Sequence, residues 1–163
     1  EREVYLPEGR WLNYNDRSTV EQGGRSVTAS APLGTVPRFV PEGAILPRGN
    51  ILKANQSWVE NWSPSLRIEF FPARSESTSF EYYTGDAVRT ITSAVLEDGI
   101  EISFDALDHD GHLEIYAENV TEVIRDGETL SDEVYEYDAD EDVLMLPFSG
   151  ATTLRLPGAS SIF

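Results

Sequence analysis

The sequence of 163 residues contains no cysteine and only two histidines. The absence of cysteine excludes disulfide bonds and thiolate-ligated metal sites. No apolar run approaches the roughly 20 residues that a membrane-spanning helix needs, so we predict no membrane partner. No charged and then apolar leader precedes the first predicted strand, so no signal peptide is visible in the sequence given.

Basic side chains are also scarce: 12 Lys and Arg stand against 29 Asp and Glu, which gives a formal net charge of −17. The imbalance is confined to one part of the sequence. Residues 1–63 hold 7 basic and 7 acidic side chains, whereas residues 64–163 hold 5 basic and 22 acidic ones. We predict no nucleic-acid partner, because phosphate binding needs a basic surface. The step in charge suggests two modules.

Short runs rich in β-branched and aromatic residues, separated by Gly, Pro and Asp turns, recur along the sequence. Arg25–Ser30 and Leu66–Phe71 show the alternation of a half-buried strand. Strands at intervals of about 8–12 residues are typical of antiparallel sandwiches. We therefore predict an all-β chain of two small antiparallel β-sandwich domains in tandem. Residues 1–50 form the proximal domain, whose N-terminal side need not be complete, residues 51–65 the linker, and residues 66–163 the distal domain.

Three motifs stand in order near the start: VYLPEGRWLNY over Val4–Tyr14, then Gly23-Gly24, then APLGTVPRFVPEGAILP over Ala31–Pro47. In this order and spacing they resemble the segment that follows the catalytic barrel in glycoside hydrolase family 31, the α-glucosidase and α-xylosidase family. Further on, LRIEFFP at Leu66–Pro72 and YDADEDVLMLPFSGATTLRL at Tyr137–Leu156 resemble the distal C-terminal domain of the same enzymes.

The resemblance implies the two C-terminal β-sandwich domains of a retaining α-glycosidase. A (β/α)₈ barrel needs roughly 250 residues, and the WxDMxE motif that carries the family's nucleophile does not occur in this sequence. We therefore predict no catalytic residue and interpret the sequence as part of a longer chain. The predicted function is a non-catalytic accessory region that braces the catalytic barrel, which is its partner. The residues predicted to dock against the barrel are Leu33, Val36, Phe39, Val40 and Ile45.

The alternative function is that of an independent carbohydrate-binding module, with oligosaccharide as its partner. Trp58 and Trp62 lie in the predicted linker, and Tyr82 and Tyr83 end a predicted strand. Sugars stack on exposed aromatic rings, so these four residues are candidate carbohydrate-binding residues. The other interpretation is that the rings close the junction between the domains or belong to the core.

Three Asn-x-Ser/Thr sequons, at Asn55, Asn61 and Asn119, are candidate glycosylation sites. They predict a secreted, extracellular protein if they carry sugar. A cytoplasmic or periplasmic bacterial protein is the alternative.

Two acidic clusters imitate metal sites. The first combines His109 and His112 with neighbouring aspartates, in a predicted turn where Asp and Gly are favoured for backbone reasons. The second, Asp138–Asp142, begins like a calcium loop, but Val143 and Ser149 stand where an EF-hand needs Gly and Glu. We predict no metal site and no cofactor.

Overall fold

The structure is a computed structural model that describes residues 1–49, 66–84, 86–107 and 109–163. Across these ranges the regular structure consists of strands alone, which confirms the predicted all-β class. No helix in the described part is long and apolar enough to cross a membrane. The strands are β1 (Arg2–Leu6), β2 (Arg10–Asn13), β3 (Val20–Gln22), β4 (Arg25–Ala29), β5 (Phe39–Pro41), β6 (Ile45–Gly49), β7 (Leu66–Phe70), β8 (Thr78–Tyr83), β9 (Val88–Leu96), β10 (Gly99–Phe104), β11 (Gly111–Glu118), β12 (Ile124–Arg125), β13 (Glu128–Thr129), β14 (Glu136–Asp138), β15 (Val143–Phe148), β16 (Thr152–Pro157) and β17 (Ser160–Ser161).

The first five strands form two small antiparallel sheets, one of β1 and β4 and one in the order β3-β2-β5. Their turns depend on the motifs identified in the sequence. The indole Nε1 of Trp11 donates to the carbonyl oxygen of Pro7 at 2.8 Å. The amide of Gly23 donates to the carbonyl oxygen of Gly9, also at 2.8 Å. A β-carbon on Gly23 would lie 1.7 Å from the Pro7 oxygen. Only glycine therefore fits where the Gly-Gly motif meets the Pro-Glu-Gly turn.

The remaining strands form a β-sandwich. One sheet, called here the distal sheet, has the order β13-β12-β16-β10-β9-β8. The other, called the central sheet, has the order β14-β15-β11-β7-β6, with β17 paired to β11. The main core lies between the two sheets and includes Ile68, Phe70, Ile91, Ile102 and Leu154, all of them fully buried.

The central sheet joins both sides of the predicted linker. Strand β6 pairs with β7 in antiparallel register, with Ile45 opposite Phe70 and Gly49 opposite Leu66. Strand β7 then pairs in parallel with β11, so the sandwich departs at this position from the purely antiparallel pattern that the sequence predicted. The departure has a topological cause: β8, β9 and β10 lie in the distal sheet, and the chain returns from them into the central sheet beside β7.

A second core covers the outer face of the central sheet. Leu12, Tyr14 and Val40 from the first 49 residues pack with Phe71 and Tyr116 of the sandwich. The segment that carries β2, β3 and β5 therefore forms a third layer over the central sheet. The predicted linker, residues 51–65, lies outside the described residues, and the division into a proximal and a distal domain stays a prediction.

Candidate docking surface and binding groove

The five residues predicted to dock against a barrel lie in different environments. Leu33 and Val36 belong to the loop between β4 and β5 and are exposed, with relative accessibilities of 106% and 71%. Phe39 is half-buried. Val40 packs in the second core and Ile45 in the main core. The candidate docking surface is thus reduced to the loop that carries Leu33 and Val36.

The predicted carbohydrate-binding aromatic residues are only partly described. Trp58 and Trp62 lie outside the described residues. Tyr82 is half-buried and packs against the main core, whereas Tyr83 is 69% exposed and pairs across the sheet with exposed Val88. Cross-strand neighbours share a face, so Tyr83 and Val88 form a small apolar patch at the end of the β8–β9 hairpin.

Among the predicted glycosylation sites, Asn119 is exposed and has a φ of 60° in the left-handed region. Asn55 and Asn61 lie outside the described residues. In the described part of the chain, no group of three or more His, Cys, Asp or Glu side chains is arranged to hold a metal ion. The aspartates of the second acidic cluster form turn contacts instead: Asp138 accepts hydrogen bonds from the amides of Asp140 and Glu141.

A buried polar cluster lies on the outer face of the central sheet. The carboxylate of Glu69 is completely buried, with 0% exposure. The hydroxyl of Tyr14 lies 2.9 and 2.8 Å from its two oxygens, and Nη1 of Arg48 donates to Oε1 at 2.7 Å. Arg48 Nη1 also donates to the Tyr14 hydroxyl. The buried charge is therefore both paired and hydrogen-bonded, as burial of a carboxylate requires.

Three arginines surround the ring of Tyr14. The guanidinium carbons of Arg38, Arg17 and Arg48 lie 4.7, 5.1 and 5.9 Å from its centroid. Arg17 also lies 5.4 Å from the centroid of Tyr116. Cations over the face of an aromatic ring are attracted by its quadrupole. Glu69 forms the ion pair with Arg48, and Glu114, opposite Glu69 on β11, accepts a hydrogen bond from the hydroxyl of Tyr116.

The surroundings change the proton affinity of two groups in the cluster. Burial, followed by the hydrogen bond to Glu69, raises the pKa of the Tyr14 hydroxyl above its ordinary value. The hydrogen bond to Glu69, reinforced by its negative charge, raises the pKa of Arg48. Burial also raises the pKa of Tyr116. Each shift favours the protonated state of its group.

A groove of about 580 Å³ opens beside this cluster. Its walls come from five places: the residue after β2, the segment around β5, the edge strand β6, strand β7, and Phe80 on the edge strand of the distal sheet. The lining is largely apolar, with charged groups at a few positions. Its residues are Tyr14, Arg38, Phe39, Val40, Ile45, Leu46, Pro47, Arg48, Glu69 and Phe80.

The sequence analysis did not identify this cluster, and it named three residues of the groove lining, Phe39, Val40 and Ile45, only as residues predicted to dock against the barrel. Tyr14 and Glu69 are 55 positions apart and belong to the two predicted modules. One feature of the sequence could have indicated the cluster. In Leu66–Phe71 the residues that alternate with the apolar ones are Arg67, Glu69 and Phe71, so an aromatic residue lies on the face predicted to meet solvent. An aromatic ring on that face indicates that something covers it.

The comparisons with known proteins agree with this architecture. Residues 1–46 match the family model described as the Glycosyl hydrolase family 31 C-terminal domain. The predicted resemblance to the C-terminal domains of family 31 is confirmed. A 1,6-α-glucosyltransferase of Sporosarcina globispora is 33% identical over 89 residues, which are 52% of this chain and 6% of that enzyme.

Solved structures of larger enzymes contain the same fold. The Flavobacterium johnsoniae dextranase of family 31, complexed with glucose, matches 96% of this chain with a TM-score of 0.78 and 22% identity. The cycloalternan-forming enzyme of Listeria monocytogenes, in complex with a pentasaccharide substrate, matches 98% with a TM-score of 0.78 and 22% identity. The chain spans 24% of the dextranase chain and 17% of the cycloalternan-forming chain.

Proposed function

We propose that this chain is a non-catalytic C-terminal accessory region of a family 31 enzyme that acts on α-glycosides, and that it braces the catalytic domain of that enzyme. The observation that carries the proposal is the match of residues 1–46 to the family's C-terminal domain. The likeness of nearly the whole fold to about a fifth of two larger enzymes supports it.

The proposed contact with the catalytic domain is the β4–β5 loop. Leu33 is fully exposed and Val36 is largely exposed, and apolar side chains of this size at the tip of a loop gain free energy when a partner covers them. Leu33 and Val36 flank Gly34, whose φ of 87° suits a tight turn. A preformed turn presents the two side chains at little cost in conformational entropy.

The first test is the absence of chemistry in the chain itself. The 163-residue chain is incubated with an aryl α-glucoside and an aryl α-xyloside, and we expect no turnover. Activity that copurifies with the chain through successive columns and disappears on heating with its unfolding would overturn the non-catalytic role.

The second test addresses bracing. The complete gene that encodes this sequence is expressed, and Leu33→Asp and Val36→Asp are introduced into the product. We expect both substitutions to lower the temperature at which the enzyme loses activity, because a charge would enter the proposed contact. Thr35→Asp, in the same loop, is the matched control for added charge. Equal losses in all three variants would contradict the assignment of Leu33 and Val36.

Carbohydrate binding is the second candidate function, and exposed Tyr83 is the observation that favours it. Titration of the chain with a maltose-type oligosaccharide tests it, with Tyr83→Ser as the variant and Tyr135→Ser as a control on another strand connection. We expect weak binding at most, since one exposed ring is a small platform. Micromolar binding lost in Tyr83→Ser would favour the binding module over the accessory region.

Secretion is proposed together with glycosylation of the sequons. Asn119 is exposed and accessible to an attached sugar. Treatment of the native protein with an amidase that removes N-linked sugars should lower its mass. An unchanged mass would remove the sequons as support for an extracellular location.

A further inference from the structure

The groove beside Tyr14 has the dimensions of a small-molecule site. Its volume of about 580 Å³ falls within the roughly 300–1,000 Å³ typical of ligand pockets, which are mostly apolar with a few convergent polar groups. Tyr82 and Tyr83, the two predicted carbohydrate-binding residues that the structure describes, do not belong to its lining. The groove is therefore a candidate site separate from Tyr83 and from the β4–β5 loop.

The groove is positively charged although the chain as a whole is strongly acidic. Arg38 and Arg48 both contribute to its lining. Arg48 is paired with Glu69, but Arg38 forms no ion pair within the described ranges of the chain, and its side chain stacks on Tyr14. A guanidinium presents a planar fork of donors that matches a carboxylate in a bidentate manner. The positive charge of the groove lining is complementary to an anionic group.

The groove lining also contains two phenylalanine rings. Phe39 is half-buried in β5, and Phe80 is 38% exposed on the edge strand β8. Rings that stay exposed at the mouth of a groove suit a ligand with flat apolar faces. The C–H faces of a pyranose ring have this character, and the ring can carry a carboxylate at its edge.

We propose that the groove binds a saccharide with a carboxylate group, of the uronic acid class. The carboxylate accepts hydrogen bonds from Arg38, and the sugar ring lies against Phe39 and Phe80. Glu69 does not bind the ligand, because Tyr14 and Arg48 already occupy both of its oxygens. The groove shares Phe39, Val40 and Ile45 with the residues predicted to dock against the barrel, so the proposal is tested in the chain by itself.

The test uses two ligands that differ at one carbon. Methyl α-D-glucuronide and methyl α-D-glucoside share their ring and anomeric group, and carbon 6 is a carboxylate in the first and a hydroxymethyl in the second. Each is titrated into the ¹⁵N-labelled chain while amide chemical shifts are followed. We expect the glucuronide to bind about tenfold more tightly, since a hydrogen bond between charged groups is stronger than a neutral one. The shifts should cluster around Phe39, Arg38 and Phe80.

Three variants locate the site. Arg38→Gln should weaken glucuronide binding about tenfold and remove the preference over the glucoside. Phe80→Ser should weaken both ligands. Arg74→Gln, which removes the same charge from an exposed position outside the groove lining, should change neither. Arg38 and Phe80 are exposed enough for the variants to fold, and the amide spectrum of each checks this.

Several results would overturn the proposal. Equal affinity for the two sugars would show that the carboxylate does not contribute to binding. If acetate bound as tightly as the glucuronide, the groove would attract anions in general and would not recognise the sugar ring. Shifts centred on another surface, or no binding at millimolar ligand, would show that the groove is not a saccharide site.

Discussion

The two faces of the central sheet are built by the same strands and differ in chemistry. The inner face carries Ile68, Phe70, Leu113 and Ile115, all completely buried against the distal sheet. The outer face is also buried at its centre, but its buried groups are aromatic and charged: Tyr14 packs there on Phe71, Tyr116 stacks on Phe71 at 4.5 Å, and Glu69 lies beside them.

The difference teaches that alternation along a strand predicts two faces but not which of them meets water. Successive residues of β7 point to opposite sides, so the inner set and the outer set are fixed together. Burial of the outer set depends on residues 1–49, which are distant in sequence.

An aliphatic core accepts many arrangements of similar volume. The Tyr14–Glu69–Arg48 cluster accepts few, because each hydrogen bond needs its own geometry.

The largest expected effect comes from the inner face. Phe70→Ala should lower the free energy of unfolding by about 3–5 kcal/mol, because it removes a completely buried ring and leaves a cavity. Denaturant unfolding followed by fluorescence measures the change. Phe80→Ala on the exposed edge strand is the control and should cost much less. A loss below about 1 kcal/mol for Phe70→Ala would indicate that the main core is not closely packed.

The next effect sharpens the comparison on the outer face. Glu69→Gln should cost about 1–3 kcal/mol, since it removes a buried charged hydrogen-bond acceptor, with part of the loss relieved because Arg48 is half-exposed and can be hydrated. Glu21→Gln is the matched control. Glu21 pairs with Arg25 at 2.8 Å but nearer to solvent, and such surface pairs contribute about 0–1 kcal/mol. Equal losses would mean that burial of Glu69 has no energetic consequence.

The third effect concerns alkaline pH. The pKa of Tyr14 is raised in the folded chain, so above the ordinary tyrosine pKa of about 10 the unfolded state loses its proton first. The contribution to stability is complete below that pH and is lost as the pH rises through the folded pKa. The unfolding free energy of the wild type should therefore fall more steeply between about pH 9.5 and 11 than that of Tyr14→Phe. Parallel pH profiles would contradict the assigned role of Tyr14.

The smallest expected effect lies outside both faces. Leu33→Asp in the chain by itself should change the unfolding free energy by no more than about 0.5 kcal/mol, because the side chain is fully exposed. The same substitution is expected to destabilise the larger enzyme. Thermal melting of the chain alone measures the change in its own stability. A large loss in the chain alone would show that Leu33 packs within it and would remove it from the candidate docking surface.

Local pattern predicted much of the fold. The predicted strands Arg25–Ser30 and Leu66–Phe71 correspond to β4 and β7, and each prediction extends one residue beyond the observed strand. The Gly-Gly motif was recognised only through its resemblance to family 31, and the structure supplies its reason in the close approach of Gly23 to Pro7. These features depend on neighbours in sequence or on a short turn, which is why the sequence contains enough information to predict them.

Long-range pairing could not be predicted in the same way. The alternation in Leu66–Phe71 predicts that β7 is a strand, but nothing in the sequence pattern specifies that it pairs with β6 across residues 50–65. The parallel pairing of β7 with β11 could not be predicted either, because side chains alternate with the same period in parallel and antiparallel strands. The groove and the polar cluster depend on these pairings, so they could not be identified before the layers were known.

The last strands have a consequence for synthesis on the ribosome. Strand β15 lies between β14 and β11, β16 lies between β12 and β10, and Phe163 completes the second core. Residues 143–163 therefore occupy interior positions in both sheets of the sandwich. Until residues 143–163 emerge, β10 and β11 each lack a partner strand and expose an edge that can pair with another nascent chain. The acidic side chains concentrated after residue 64 repel such neighbours during this interval.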